Sequence, residues 1–197
     1  MIKNRKAAMG VLLLAAMFLF FAGVASAQEG DETTQSDQNK MLVILGCAIA
    51  IGIAGISSAI GLALAGSSAI AVTAEKPNLF GKCLVLQVLP MTQSVYGLLT
   101  AILLMMGAGL LGGGSEVVVG SLAGMGAVWI GLAVGLTGIS AINQGMVASS
   151  SISAVGRNPD VAARGIIFTV MPETIAIFGL LVGILPVSYT HLRAHET

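Results

Sequence analysis

Charge is what this chain has least of. Nine of its 197 residues are Lys or Arg and nine are Asp or Glu, 9% in all, against about a quarter in an ordinary water-soluble domain. Hydrophobic residues make up 56%, and the mean hydropathy is +0.95. An aqueous globular domain is therefore excluded, and the bilayer is the expected solvent. The formal net charge is zero, and no basic run is dense enough to follow a phosphate backbone, so nucleic acid is not a partner. No nucleophile–base pair and no cluster of metal ligands stands out, so nothing points to an enzyme. Cysteine is scarce as well. Cys47 and Cys83 each lie in or beside an apolar run with no His or second Cys nearby. They read as small core residues at opposite ends of adjacent helices, not as a disulfide.

The charges that are present matter by position. Lys3, Arg5 and Lys6 precede an apolar run over 7–24 and then Ala25-Ser26-Ala27. A basic start, an apolar middle and a small-x-small end predict a signal peptide over residues 1–27; an uncleaved first spanning helix is the alternative. Residues 28–40 hold Glu29, Asp31, Glu32 and Asp37 and little to bury, which predicts a mobile acidic linker outside the cell. At the other end, residues 187–197 resemble a translated sequencing adapter and are expected to be a non-native tail. Its histidines, His191 and His195, sit four apart; the spacing would suit a metal pair on a helix, but within such a tail it carries no function.

Charge-free runs over 41–74, 84–115 and 117–156, and a fourth over 165–185 with Glu173 as its one charge, predict four transmembrane helices, since about 20 residues cross the hydrocarbon. Glu75, Lys76 and Lys82 lie between the first two runs, and Arg157, Asp160 and Arg164 between the last two. Both loops are net positive, which places them in the cytoplasm and both chain ends outside, in the plasma membrane. The halves are copies at an offset of 82: Ser58-Ala59-Ile60 meets Ser140-Ala141-Ile142, Pro77 meets Pro159, Pro90 meets Pro172, and Gly97-Leu98-Leu99 meets Gly179-Leu180-Leu181. The expectation is an all-α membrane protein of two tandem helical hairpins, 41–112 and 119–186, joined by a Gly-rich linker over 113–118. Glycine is dense in the first helix of each hairpin, which suits close packing of those two helices in lipid.

Few polar groups lie inside these runs. Glu173 stands nine residues after Arg164, about 13 Å along a helix and so near the midplane. An ionisable group there costs several kcal/mol, of order 3 or more, unless it is neutralised, paired or bound to a cation. The aligned residue of the first repeat is Met91, so each pair of hairpins has one carboxylate. In place of the acid, the first repeat has Leu89-Pro90-Met91-Thr92-Gln93. There Leu89, Thr92 and Gln93 share a face, and Pro90 loosens the turn. Gln144 adds an amide from the third helix. Glu173, Thr92, Gln93 and Gln144 make an oxygen set suited to a hard cation such as Na⁺. A proton would need the carboxylate alone, and separate hydrogen-bonding roles for the others are the bland reading.

Residues from about 41 to 185 resemble the K (proteolipid, or c) subunits of V-type and archaeal-type rotary ATPases in their duplicated four-helix form. The likeness rests on Leu89-Pro90-Met91-Thr92-Gln93-Ser94-Val95-Tyr96-Gly97, on Pro172-Glu173-Thr174-Ile175-Ala176-Ile177-Phe178-Gly179, and on Gly156-Arg157-Asn158-Pro159. It implies a non-catalytic, ion-translocating subunit that assembles with its own copies into a rotor ring. The ring would turn against a stator partner bearing an arginine, and the central stalk would meet its cytoplasmic loops. It also implies that Leu89 (through its carbonyl), Thr92, Gln93, Gln144 and Glu173 hold the transported Na⁺ (or H⁺), with no organic cofactor. Met91 departs from the family, which commonly has Gly there. A small secondary transporter built from parallel repeats is the competing reading.

Overall fold

A computed structural model of the chain describes residues 32–111 and 117–193, with side chains over 34–111 and 117–185. The expected signal peptide, the first residues of the expected linker, residues 112–116 and the side chains of the expected tail lie outside the described residues. All regular structure among the described residues is helical. Helix α1, Glu32–Glu75, is unbroken over 44 residues, about 66 Å. The second rod is a 3₁₀ turn Pro77–Leu79, α2 (Phe80–Val88), a 3₁₀ turn Leu89–Met91 and α3 (Thr92–Gly107). The third is α4 (Ser121–Gly138) and α5 (Ser140–Arg157). The fourth is a 3₁₀ turn Pro159–Val161, α6 (Ala162–Val170) and α7 (Glu173–Arg193). Each rod is long and apolar enough to cross a membrane. The chain is thus a multi-pass membrane protein of two tandem hairpins.

The two proline positions, 82 apart, set corresponding breaks in the second and fourth rods. Proline has no N–H for the i→i−4 ladder, so the chain tightens around it. The Thr92 N–H closes onto the Leu89 carbonyl, and the Thr174 N–H reaches the Met171 carbonyl at 3.3 Å. Helices α3 and α7 therefore restart at Thr92 and Glu173, one turn of fresh helix beginning at each functional stretch.

Glycine lets the first and third rods touch backbone to backbone. A Cβ on Gly145 would sit 2.7 Å from the Gly61 carbonyl carbon, and one on Gly131 would sit 2.9 Å from the Gly46 Cα. A Cβ on Gly61 would strike the Ala141 carbonyl and come within 2.8 Å of the Pro90 Cβ. Lipid provides no hydrophobic drive between helices, so such close dispersion contact is what holds them. At the loop end, Lys76 Nζ donates to the Gly156 carbonyl at 2.6 Å and Lys82 Nζ to the Pro159 carbonyl at 3.0 Å. A cation at the last carbonyls of α5 is favoured by the helix dipole, and it ties the two loops together. Cys47 and Cys83 are free, buried and in separate apolar clusters.

The expectation of a mobile linker up to residue 40 is corrected. Helix α1 begins at Glu32, and two polar residues on its inward side are used. Asn39 Nδ2 donates to the Val119 carbonyl at 2.7 Å, and Ser36 Oγ accepts from the Val119 N–H at 3.3 Å. Val119 lies ahead of α4, where its backbone groups lack helical partners; side chains of α1 supply them. The acidic composition gave no hint that two of the neutral residues in this stretch would be buried.

Gly145→Val is expected to destabilise the protein by about 3 kcal/mol or more, because backbone on both sides prevents relief. Gly81→Ala, with open space at its Cβ, serves as the neutral control; unfolding in detergent by a rising SDS fraction separates the two.

Candidate ion-binding site

Glu173 begins α7, fourteen residues after Pro159 and twelve before Leu185, the ends of the fourth span. It lies midway along an apolar rod. It is buried, with 8% of its surface exposed. Two donors meet it from two other rods. Tyr96 Oη, on α3, donates to Oε1 at 2.8 Å, and Gln144 Nε2, on α5, donates to Oε2 at 3.2 Å. A carboxylate can only accept, so both contacts have the polarity it requires.

The hydrogen bonds continue away from the acid. Gln144 Oε1 accepts from Gln93 Nε2 at 2.6 Å, and neither glutamine has any exposed surface. The Thr92 hydroxyl lies 3.2 Å from Gln93 Oε1 and 3.0 Å from the Leu89 carbonyl, and its one hydrogen serves one of them at a time. Every residue expected at the site, Leu89, Thr92, Gln93, Gln144 and Glu173, is thus joined in one network. Leu89 enters it through Thr92, not through a contact with the acid.

Tyr96 is the member that sequence reasoning passed over. It lies within the stretch quoted for the family likeness, and it extends the face of Leu89, Thr92 and Gln93 to i+7. A phenol on that face was the available signal. Its role became visible only when α7 was placed opposite, since no local pattern says which residue lies across a helix pair.

The repeat does not build this network twice. Position 91 is Met, half-exposed; the counterpart of Gln93 is Ile175, also exposed; and the counterpart of Gln144 is Leu62. Only the local turn is duplicated: Thr174 Oγ1 donates to the Met171 carbonyl at 2.9 Å, as Thr92 does to Leu89. The first repeat lends an amide, a hydroxyl and a phenol to an acid carried by the second. The bulk of Met91 lies on the exposed side of its rod.

Tyr96→Phe leaves Glu173 with one donor among these contacts. It is expected to speed carbodiimide labelling of Glu173 several-fold at fixed pH, measured by mass spectrometry on purified protein. An unchanged rate would show that the phenol does not restrain the carboxyl.

Comparison with known proteins agrees with this architecture. The family of the ATP synthase C subunit matches the chain twice, over residues 45–104 and 128–185. A-type ATP synthase subunit K of Methanocaldococcus jannaschii is 47% identical over 137 residues, covering 70% of this chain and 59% of that one; the chain therefore spans under two thirds of that relative. V-type sodium ATPase subunit K of Enterococcus hirae is 39% identical over 146 residues, covering 74% of this chain and 89% of that one. The 16 kDa proteolipid of the V-type proton ATPase of Nephrops norvegicus is 28% identical over 143 residues, covering 72% and 86%. With two matched hairpins, four apolar rods and these relatives, the chain belongs to the ATP synthase C-subunit family, in the duplicated form of the A- and V-type proteolipids.

Proposed function

We propose that this protein is a rotor-ring subunit that carries Na⁺ across the plasma membrane on Glu173, coupled to ATP hydrolysis or synthesis on partner subunits and catalysing no reaction of its own. The observation that carries the reading is the network at Glu173. One buried carboxylate, two fully buried amides, a hydroxyl and a backbone carbonyl from three rods are joined in one network within a largely apolar bundle. Hard oxygens of this kind suit a hard cation. The identity to a sodium ATPase subunit K supports the choice of ion. Family membership removes the ground for a small secondary transporter.

The mechanism follows from the cost of charge in hydrocarbon. Glu173 with a bound cation is close to neutral and tolerates a lipid-facing position, whereas an empty carboxylate does not. Rotation past lipid is therefore permitted only to loaded subunits. An arginine on the stator partner would favour the empty, ionised carboxylate and release the ion there. Copies of the chain would form the ring, with the loops 73–82 and 156–164 meeting the central stalk and both chain ends outside the cell. The lysine ties from the first loop to Gly156 and Pro159 would make that contact surface one unit.

A proton is the second reading, and one observation favours it. The proteolipid of a V-type proton ATPase is 28% identical over 143 residues, and a proton needs only the Glu173 carboxylate.

The test is the rate of carbodiimide labelling of Glu173 in purified rings, with and without Na⁺, across pH. The reagent attacks the protonated carboxyl, so a bound cation excludes it. Protection by millimolar Na⁺ is the expected result. Labelling that follows pH and ignores Na⁺ would make this a proton carrier. Glu173→Gln is expected to abolish ion binding and transport, and full transport in that variant would overturn the site. Gln144→Ala is expected to raise the Na⁺ needed for half-protection about tenfold, the value of one buried hydrogen-bonding or ligating group, with little change in folding.

A further inference from the structure

Ser140 Oγ is the buried side-chain polar atom that has no hydrogen-bond partner among the described residues. Ser140 is 6% exposed and opens α5, one turn ahead of Gln144 and on the same face. A buried hydroxyl left unmet is costly, and the exceptions in a folded protein call for a reason.

The repeat sharpens the point. The equivalent residue is Ser58, and its Oγ accepts the Ser94 N–H at 3.1 Å. In the first repeat the hydroxyl joins two helices. In the second it stays free beside the residue that touches Glu173. The neighbouring Ala141 is fully buried, and its carbonyl lies against Gly61. Ser140 Oγ itself has less than 1 Å² of exposed surface, so a side-chain partner for it comes from within the bundle.

Gln144 provides one. Beside an ionised Glu173 the amide has to present its NH₂, because a carboxylate only accepts, and it does so at 3.2 Å. A cation on Glu173 reverses that demand. Gln144 then has to turn its carbonyl oxygen to the ion, which releases Gln93 Nε2 from it, and its NH₂, which a second donor cannot satisfy, needs a new acceptor. Ser140 Oγ and the Gln144 amide are not bonded in this structure, but helical side chains lean back toward the N-terminus, so a turned Gln144 side chain has Ser140, one turn earlier, as its nearest neighbour on that face. We infer that Ser140 Oγ is this acceptor: Ser140 is a positioning residue that holds Gln144 in its cation-ligating orientation. The inference rests on reading Glu173 as a cation site.

The experiment compares wild-type, Ser140→Ala and Ser140→Thr rings by carbodiimide labelling of Glu173 against Na⁺ concentration, and against pH without Na⁺. Ser140→Ala is expected to raise the Na⁺ needed for half-protection about tenfold and to leave the Na⁺-free pH profile unchanged. Ser140→Thr, which keeps the hydroxyl, is expected to behave as wild type. Wild-type protection by Na⁺ that is unaltered in Ser140→Ala overturns the role of Ser140 and leaves the sodium site standing. Wild-type labelling that ignores Na⁺ overturns both together. A map of wild-type rings gives a check that needs no variant. With Na⁺ present, Gln144 Nε2 is expected within about 3.2 Å of Ser140 Oγ, and an amide still directed at Glu173 in loaded rings would overturn the inference.

Discussion

Hydrocarbon offers a carboxylate nothing to bond to, so the charge on Glu173 has to be answered by the protein. The answer comes from two other rods: a phenol from α3 and an amide from α5, the latter held in turn by Gln93 and Thr92. Because the donors belong to the first hairpin and to the third rod, the acid cannot be accommodated by its own helix. The tight bundle is therefore a requirement of the site as well as its scaffold. The proline breaks serve the same end. They restart α3 at Thr92 and α7 at Glu173, so the functional groups open fresh helices that face one another.

Glycine makes that bundle close enough. Where Gly61 and Gly145 meet, and again at Gly46 and Gly131, two helix backbones touch with no side chain between them. The contact positions α5, and with it Gln144, against the second rod at the level of Pro90. A single Cβ at these points would meet the facing backbone. Structural glycine and functional glutamine are in this sense one design, since the short reach of a glutamine side chain leaves little tolerance in helix spacing.

Duplication explains the asymmetry. Two identical hairpins would place two acids in one bundle. Here the first copy has Met91 where the second has its carboxylate, and its Thr92, Gln93 and Tyr96 serve the acid of the second copy. The serines tell a similar story at smaller scale: Ser58 joins helices, while Ser140 sits unengaged beside Gln144. Each half supplies one part of a shared site.

Much of this was legible from residue order. Four spans, the parallel repeat and the depth of Glu173 follow from where charge is missing and where a few charges remain, because a bilayer penalises charge by position along the chain. Of the five expected site residues, Thr92, Gln93, Gln144 and Glu173 followed from polar groups set in apolar helices, and Leu89 from its place on the same face and from the family likeness. The helical extension of α1 through Ser36 and Asn39 escaped that reasoning, as did the part of Tyr96, the free hydroxyl of Ser140 and the actual partner of each amide. Those facts concern residues far apart in the chain and brought within 3 Å or so by packing. Hydropathy and periodicity describe one helix at a time, whereas the direction of a hydrogen bond across the bundle depends on which faces meet, and glycine contacts between helices set that.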